Sequence, residues 1–345
     1  PVTLLDPPRT TAHLPAAARQ LARAVRNETV LVASKTRILS YGLAAMVRGR
    51  RPHILDIDDL ERVFVRRRLG WLRQLIEPDR EPITRFLERI PAEASAIAVA
   101  SRALQRKYGG TWIPHVRDRT GYDERARADG PRLPDSLGLR DRFVLGFVGT
   151  PRGHKGLGAV GAAMATSDPS VTLLVAGNEA DDPEIGRIDR MTGGRVRALG
   201  IVPMEQIPAL LGACDIVLVP QLPTAASEYQ SPAKLFDAMA AGTAIVASDI
   251  GDASEILGSA GVLTPAGDSE SLASRVGMLR SDPSRRAQMR VDAAERYFTE
   301  FGIDRWRRRM ESVVGAGHAH LPGLGRPEVA LPPPASLLPL PILAS

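Results

Sequence analysis

The sequence predicts an α/β protein of parallel sheets, divided into two domains. Three observations carry this. Short β-rich apolar runs alternate with helical patterns, and the alternation begins again after a long polar interval. The chain has 345 residues, enough for two domains of ordinary size. Its residues are 44% hydrophobic but only 4% aromatic, which suits an interior packed from Ala, Leu and Val.

The elements come in order. "VTLL" (2–5), "TVLVAS" (29–34), "HILDID" (53–58) and "AIAVAS" (96–101) read as strands, with helical patterns in "LPAAARQLARAV" (14–25) and "RILSYGLAAMV" (37–47). The polar stretch 117–142, rich in charge, Gly and Pro, reads as a connection. Strand patterns resume with "FVLGFVG" (143–149), "VTLLVAG" (171–177), "VRALG" (196–200), "DIVLVP" (215–220) and "TAIVAS" (243–248). "GIDRWRRRMESVV" (302–314) reads as a closing helix, and the seven prolines of 321–345 as an extended or disordered tail. The expected organisation is a first domain over 1–118, a linker over 119–142, a second domain over 143–314 and a Pro-rich tail over 315–345. Open parallel sheets bind ligands at the carboxyl ends of their strands, so the cleft between the domains is the expected working site.

Composition narrows the chemistry. Cys214 is the only cysteine, which excludes an intrachain disulfide and a Cys-based metal site and points to a reducing compartment. Neither a signal peptide nor an apolar run of membrane-spanning length is seen, so the expectation is a cytoplasmic protein. Residues 1–140 carry 26 Lys/Arg against 16 Asp/Glu, whereas the rest carries 19 against 23, so an anionic partner is expected for the first half. The Arg-rich run 62–75 fits an anionic membrane surface or a phosphate-bearing acceptor. The plainer reading is a solvated helix face whose Arg stems cover apolar neighbours.

Several motifs are set aside. "GLGAVG" (156–161) has dinucleotide-fingerprint spacing, but "TPRGHK" separates it from its strand, which places these glycines in the following helix. In "DID" (56–58), strand alternation puts Asp56 and Asp58 on one face and turns Asp59 away; no metal is expected, and the carboxylates read as loop caps and Arg partners. Nucleophile-elbow, Walker and zinc-finger patterns are absent from the sequence.

Two stretches keep chemical content. "GFVGTPRGHKGL" (146–157) runs a strand into a Gly-rich loop bearing Arg152, His154 and Lys155, suited to an anion or to nothing more than a strand–helix connection. "SPAKLFDAMAAG" (231–242) reads as a short helix capped by Ser231, with Pro232 in its first position, Gly242 ending it, and Leu235, Phe236, Met239 and Ala240 buried. Lys234, one of only four lysines among the 45 basic residues, falls in its first turn. A cation there opposes the helix dipole unless an anion lies over the helix start. An i,i+3 ion pair with Asp237 is the simpler account.

With these residues in view, the chain resembles a GT-B glycosyltransferase of the GT4-type group (glycosyl transferases group 1). "FVGTPRGHKG", "LGIVPMEQIPALLGACDIVLVPQ", "SPAKLFDAMAAGTAIVASDIGDASEIL" and "VLTPAGDSESLA" succeed one another at that family's spacing. The resemblance implies two Rossmann-like domains facing across a cleft, with a nucleotide-sugar donor on the second and a saccharide or glycolipid acceptor on the first. It implies sugar transfer with retention, in polysaccharide or glycolipid synthesis, with neither a metal nor another cofactor and no nucleic-acid partner. Residue by residue, Lys155 and Arg152 would hold the diphosphate, with Gly149, Thr150 and Glu228 also among the donor-binding residues. Ser231 and Pro232 would set the helix start against it, Lys234 would add charge, and Asp237 would take the ribose hydroxyls. Asn178 and Val202 would line the base pocket, and Asp58 stands where the family has its active-site His.

Three departures from the family are visible. Tyr229 replaces a common Glu, with Glu228 one residue out of register, and Thr150 replaces a usual Arg. "PVTLLDPP" resembles the family's second strand, so the first β–α unit, roughly 35–40 residues, would be missing. The competing expectations are a non-catalytic or truncated nucleotide-sugar-binding remnant and a sugar-nucleotide epimerase on the same fold.

Overall fold

The structure is a computed structural model and describes residues 10–27, 30–49, 51–64, 81–118, 122, 126, 130, 133–179 and 181–319. The expected strand at 2–5, the Pro-rich stretch 321–345 and all of the Arg-rich run beyond Phe64 lie outside the described residues.

Helix α1 (Leu14–Ala24) leads into strand β1 (Leu31–Ser34). A π-helical turn (Ile38–Gly42) then runs into α2 (Leu43–Val47), followed by β2 (His53–Ile57). After these come α3 (Glu81–Leu87), β3 (Ala96–Val99), α4 (Arg102–Tyr108) and β4 (Thr111–Trp112). The four strands form one parallel sheet in the order β1-β2-β3-β4, with Leu31 opposite His53 and Ile54 opposite Ala96. β4 falls in a stretch that carries no strand pattern in the sequence. Only Thr111 and Trp112 pair with β3, too short a run for any alternation to register.

The second sheet holds β5 (Phe143–Val148), β6 (Val171–Ala176), β7 (Val196–Ala198), β8 (Ile216–Val219), β9 (Ile245–Asp249) and β10 (Val262–Pro265). All neighbours are parallel, in the order β10-β9-β8-β5-β6-β7. β6 and β8 are buried at every residue, as near-continuous apolar strands are when helices cover both faces. The chain moves one way from β5 to β6 and β7, then returns to β8 on the other side, so a crevice opens at the carboxyl ends of β5 and β8.

The helices of this half are α5 (Leu133–Ser136), α6 (Leu157–Ala165), α7 (Pro183–Met191), α8 (Ile207–Gly212) and α9 (Ala225–Tyr229). α10 (Ala233–Ala240), α11 (Ala253–Leu257), α12 (Ser269–Ser281), α13 (Pro283–Glu300) and α14 (Ile303–Ala319) complete it. Gly158 and Gly161 of the fingerprint-like run lie inside α6, as expected.

α10 is seated by its apolar stripe. Leu235, Phe236 and Met239 are fully buried, and the Phe236 ring stands edge-on to Tyr297 and Phe301 at 6.5 and 5.3 Å. Burial on this scale is worth about 1.5–3 kcal/mol per large side chain. α14 does something the linear division did not anticipate. Although 302–314 was expected to close the second domain, this helix lies on the first sheet, where Val313 packs with Ile54, Ala98 and Ile113. It also continues to Ala319, into the stretch expected to be tail.

Candidate functional site

The site begins at the end of β5. Gly149 adopts φ +123°, and Gly177, at the end of β6, adopts φ +101°. A Cβ on Gly177 would lie 2.9 Å from the Gly149 carbonyl carbon, so two glycines let these strand ends abut. Arg152 is extended, and the 3-10 turn Gly153–Lys155 after it closes on Gly156 at φ +67°. Leu222 N–H donates to the His154 carbonyl at 2.9 Å, tying this loop to the one after β8. Thr150 and Arg152 are exposed, whereas Lys155 is buried and its ammonium donates to Gln230 Oε1. Burial pushes Lys155 down to about 8; nearby Arg152 adds to the fall and Asp59 opposes it.

Lys234 enters from the other side of the crevice, in the first turn of α10. Its stem reaches the surface, but its ammonium is buried 3.8 Å above the Phe147 ring centroid. A Cβ on Gly149 would meet this nitrogen at 3.2 Å. It has no hydrogen-bond partner among the described residues. Burial, and then the like charge of Lys155, drive its pKa well down. His154 is held at about 4 by burial and by Lys155, Arg152 and Lys234 around it. Glycine backbone, basic side chains and a helix start thus converge at the switch point, an arrangement suited to phosphate.

The expected helix cap and the expected ion pair are corrected. Pro232, not Ser231, is the N-cap residue of α10, and it offers no side-chain cap. Ser231 lies one position outside, its hydroxyl buried without a hydrogen-bond partner among the described residues and its carbonyl 3.1 Å from His115 Nε2. The Lys234–Asp237 ion pair does not form. Asp237 Oδ1 instead accepts from Arg117 Nε at 2.5 Å and from the Tyr122 hydroxyl at 2.8 Å. This fastens the segment after β4 to α10. Asn178 is buried, with Oδ1 accepting from Gly200 N–H at 3.1 Å and Nδ2 donating to the Glu179 carbonyl at 2.8 Å. It staples the loops after β6 and β7, and Val202 packs at the edge of the second domain's core. Glu228 is exposed.

On the first-domain side, β2 ends at Ile57, so strand alternation does not govern the residues beyond it. Asp58, Asp59 and Glu61 bring carboxylate oxygens within 4.8 Å of one another; the Arg37 guanidinium pairs with Glu61, and the Lys35 ammonium stands against all three. It lies 3.3 Å from Asp58 and 3.1 Å from Glu61. Burial and then Asp58 push Asp56 up to about 6.

The two sides meet through Gln230, Tyr229, Asp252 and Glu255, of which the sequence singled out Tyr229 alone, as a departure from the family. Gln230 donates from Nε2 to Asp59 Oδ1 at 3.0 Å while accepting from Lys155. The Tyr229 ring packs against the first domain's core, and its carbonyl accepts from the Ser101 hydroxyl at 2.7 Å. Asp252 accepts from the Arg102 amide at 2.7 Å, and Glu255 takes the Arg102 guanidinium in a paired contact at 2.6 and 3.0 Å.

Residues 142–282 match the family model described as "Glycosyl transferases group 1". A phosphatidyl-myo-inositol mannosyltransferase of Mycolicibacterium smegmatis is 31% identical over 232 residues, covering 64% of this chain and 58% of that protein. An alpha-maltose-1-phosphate synthase of the same organism is 27% identical over 294 residues, covering 76% and 72%. The matched region thus spans between just over half and nearly three quarters of these relatives. Among solved structures, Anabaena HepE in complex with UDP-glucose superposes with TM-score 0.71 at 22% identity, covering 86% of this chain and 82% of that one. Sucrose-phosphate synthase from Thermosynechococcus elongatus gives 0.70 at 19%, covering 90% and 79%. At these identities the structural likeness is one of fold, two Rossmann-like domains facing across a cleft.

Proposed function

We propose that this chain, whose residues 142–282 form a domain of the group 1 glycosyltransferase family on a GT-B fold, transfers a sugar from a nucleotide-sugar donor to a saccharide or lipid-linked acceptor. The observation that carries the reading is Lys234. A buried ammonium without a hydrogen-bond partner among the described residues is costly, and this one stands at a helix start beside Gly149 and near a second buried lysine. A donor diphosphate would satisfy all of these groups together.

The chemistry derives from charge. As the glycosidic bond breaks, the leaving diphosphate gains negative charge, so Lys155, Lys234 and the N–H groups of α10 bind the transition state more tightly than the ground state. Transfer with retention at the anomeric carbon fits a donor whose leaving group stays in this crevice while the acceptor approaches from the first domain, near Asp58. The relatives' names support the acceptor class, one acting on a phosphatidylinositol and another making a sugar phosphate. The charge of the first half supports an anionic membrane or phosphate-bearing partner on the cytoplasmic side. Failure to sediment with anionic vesicles at low salt would remove the membrane part of this reading.

The test is a thermal-shift series with UDP, GDP and ADP and their sugar conjugates. Ligand at 100 times its dissociation constant stabilises by about 2.7 kcal/mol. The expected result is a selective shift, lost in Lys155→Ala and in Lys234→Ala, with sugar transfer and a retained anomer seen by NMR of the product. Selective binding without transfer to any acceptor would replace the enzyme by a nucleotide-sugar-binding remnant, and release of an epimerised sugar nucleotide would make it an epimerase. No shift with any nucleotide would overturn the donor site itself.

A further inference from the structure

We infer that Gln230 is a positioning residue for Lys155, and that Asp59 of the facing domain dictates which way its amide points. The inference rests on the donor-site reading and adds a dependence of that site on the first domain.

A glutamine amide turned by half a rotation exchanges its acceptor for its donors. Here each neighbour permits one choice. The Asp59 carboxylate accepts, so it draws Nε2, 3.0 Å from Oδ1. The Lys155 ammonium only donates, so it takes Oε1. Burial and then the Asp58 carboxylate raise the Asp59 pKa, while the hydrogen bond from Gln230 and the Lys35 ammonium 3.9 Å away work against that rise. The result is a continuous polar chain, Lys35–Asp59–Gln230–Lys155, from the end of β1 to the phosphate loop after β5.

The geometry has a use. A lysine ammonium sits on a flexible four-carbon stem and has three N–H donors. Gln230 occupies one of them and fixes the stem's direction, leaving two for a diphosphate. Because Asp59 belongs to the loop after β2, Lys155 is aimed only while the first domain lies against the second. Asp59 therefore influences donor binding without touching the donor.

Charge alone and amide orientation predict opposite signs for one substitution. Removing the Asp59 carboxylate should favour an anion nearby if only charge matters, with the titration run well below about pH 8, where Lys155 keeps its proton without Asp59. If Asp59 orients Gln230, Asp59→Asn should weaken binding, because its amide no longer imposes one orientation.

The experiment is calorimetric titration with whichever of UDP, GDP or ADP most stabilises the wild type, with melting curves to confirm folding. Gln230→Ala and Asp59→Asn are each expected to weaken binding about tenfold, as loss of a hydrogen bond to a charged group does. Asp59→Asn is expected to cause no weakening in the Gln230→Ala background. In the paired variant Gln230→Glu with Asp59→Asn, the carboxylate accepts at both ends, and affinity should return to within about threefold of wild type. Tighter binding in Asp59→Asn, additive losses, or no recovery in the paired variant would overturn the inference while leaving the donor site standing. Should the wild type bind none of the three nucleotides, the donor site falls and this role with it.

Discussion

On the proposed donor reading, Lys234 ties up stability in return for a binding site. Its buried ammonium has no hydrogen-bond partner among the described residues, and desolvation dominates its shift. Lys234→Met keeps most of the volume and removes the polar head. Denaturant titration of the donor-free protein should show a gain of about 1–3 kcal/mol, while the nucleotide-induced thermal shift disappears. Lys155 makes a prediction in pH. Burial holds it at about 8, below its ordinary 10.5. Nucleotide affinity should be constant below pH 8 and fall above it as the ammonium loses its proton. Stability runs the other way. Between 8 and 10.5 the unfolded state binds more protons at this lysine than the native state does, so its contribution to stability rises with pH. The difference between wild type and Lys155→Ala, followed by melting without ligand and by titration with it, separates the two effects.

At the scale of elements, the site depends on how strands and helices end. The β5 and β6 ends approach so closely that Gly177 has backbone 2.9 Å from where a Cβ would stand, at a φ of +101°. Gly177→Ala should cost about 1–3 kcal/mol, read as a lowered urea midpoint with unchanged slope. α10 was legible as a helix because its apolar stripe and its closing Gly242, at φ +60°, are local signals. Its cap was not. Ser231 has the right chemistry for an N-cap, but Pro232 carries the cap geometry and the Ser231 carbonyl faces His115, a residue 116 positions away. The Asp58–Asp59–Glu61 grouping was missed for a related reason. Alternation predicts faces only while the strand lasts, and β2 stops at Ile57.

At the scale of the molecule, the chain's end binds its halves together. α13, 18 residues long, carries the backbone away from the second sheet, and α14 then covers the first, with Val313 1% exposed. Val313→Asp places an unpaired carboxylate there and should cost at least about 3 kcal/mol, seen as a fall in melting temperature. The same assembly logic packs the Tyr229 ring on the first domain's core, so the position where the family resemblance led to the expectation of an acid serves contact between the domains.

What the sequence determined by itself was local: the alternation that makes two parallel sheets, the glycines and lysine after β5, and the amphipathic helix bearing Lys234. These rest on periodicity and on neighbours within a few residues, which the order of residues states directly. Partnership came from the folded chain. Asp237 faces Arg117 and Tyr122 across 120 and 115 residues, Gln230 faces Asp59 across 171, and α14 returns to a sheet whose strands lie far earlier in the chain. A polar group's chemistry is legible in its residue type. The group that satisfies it is chosen by packing of the whole chain, because burial forces each donor or acceptor onto whatever the fold brings within hydrogen-bond reach.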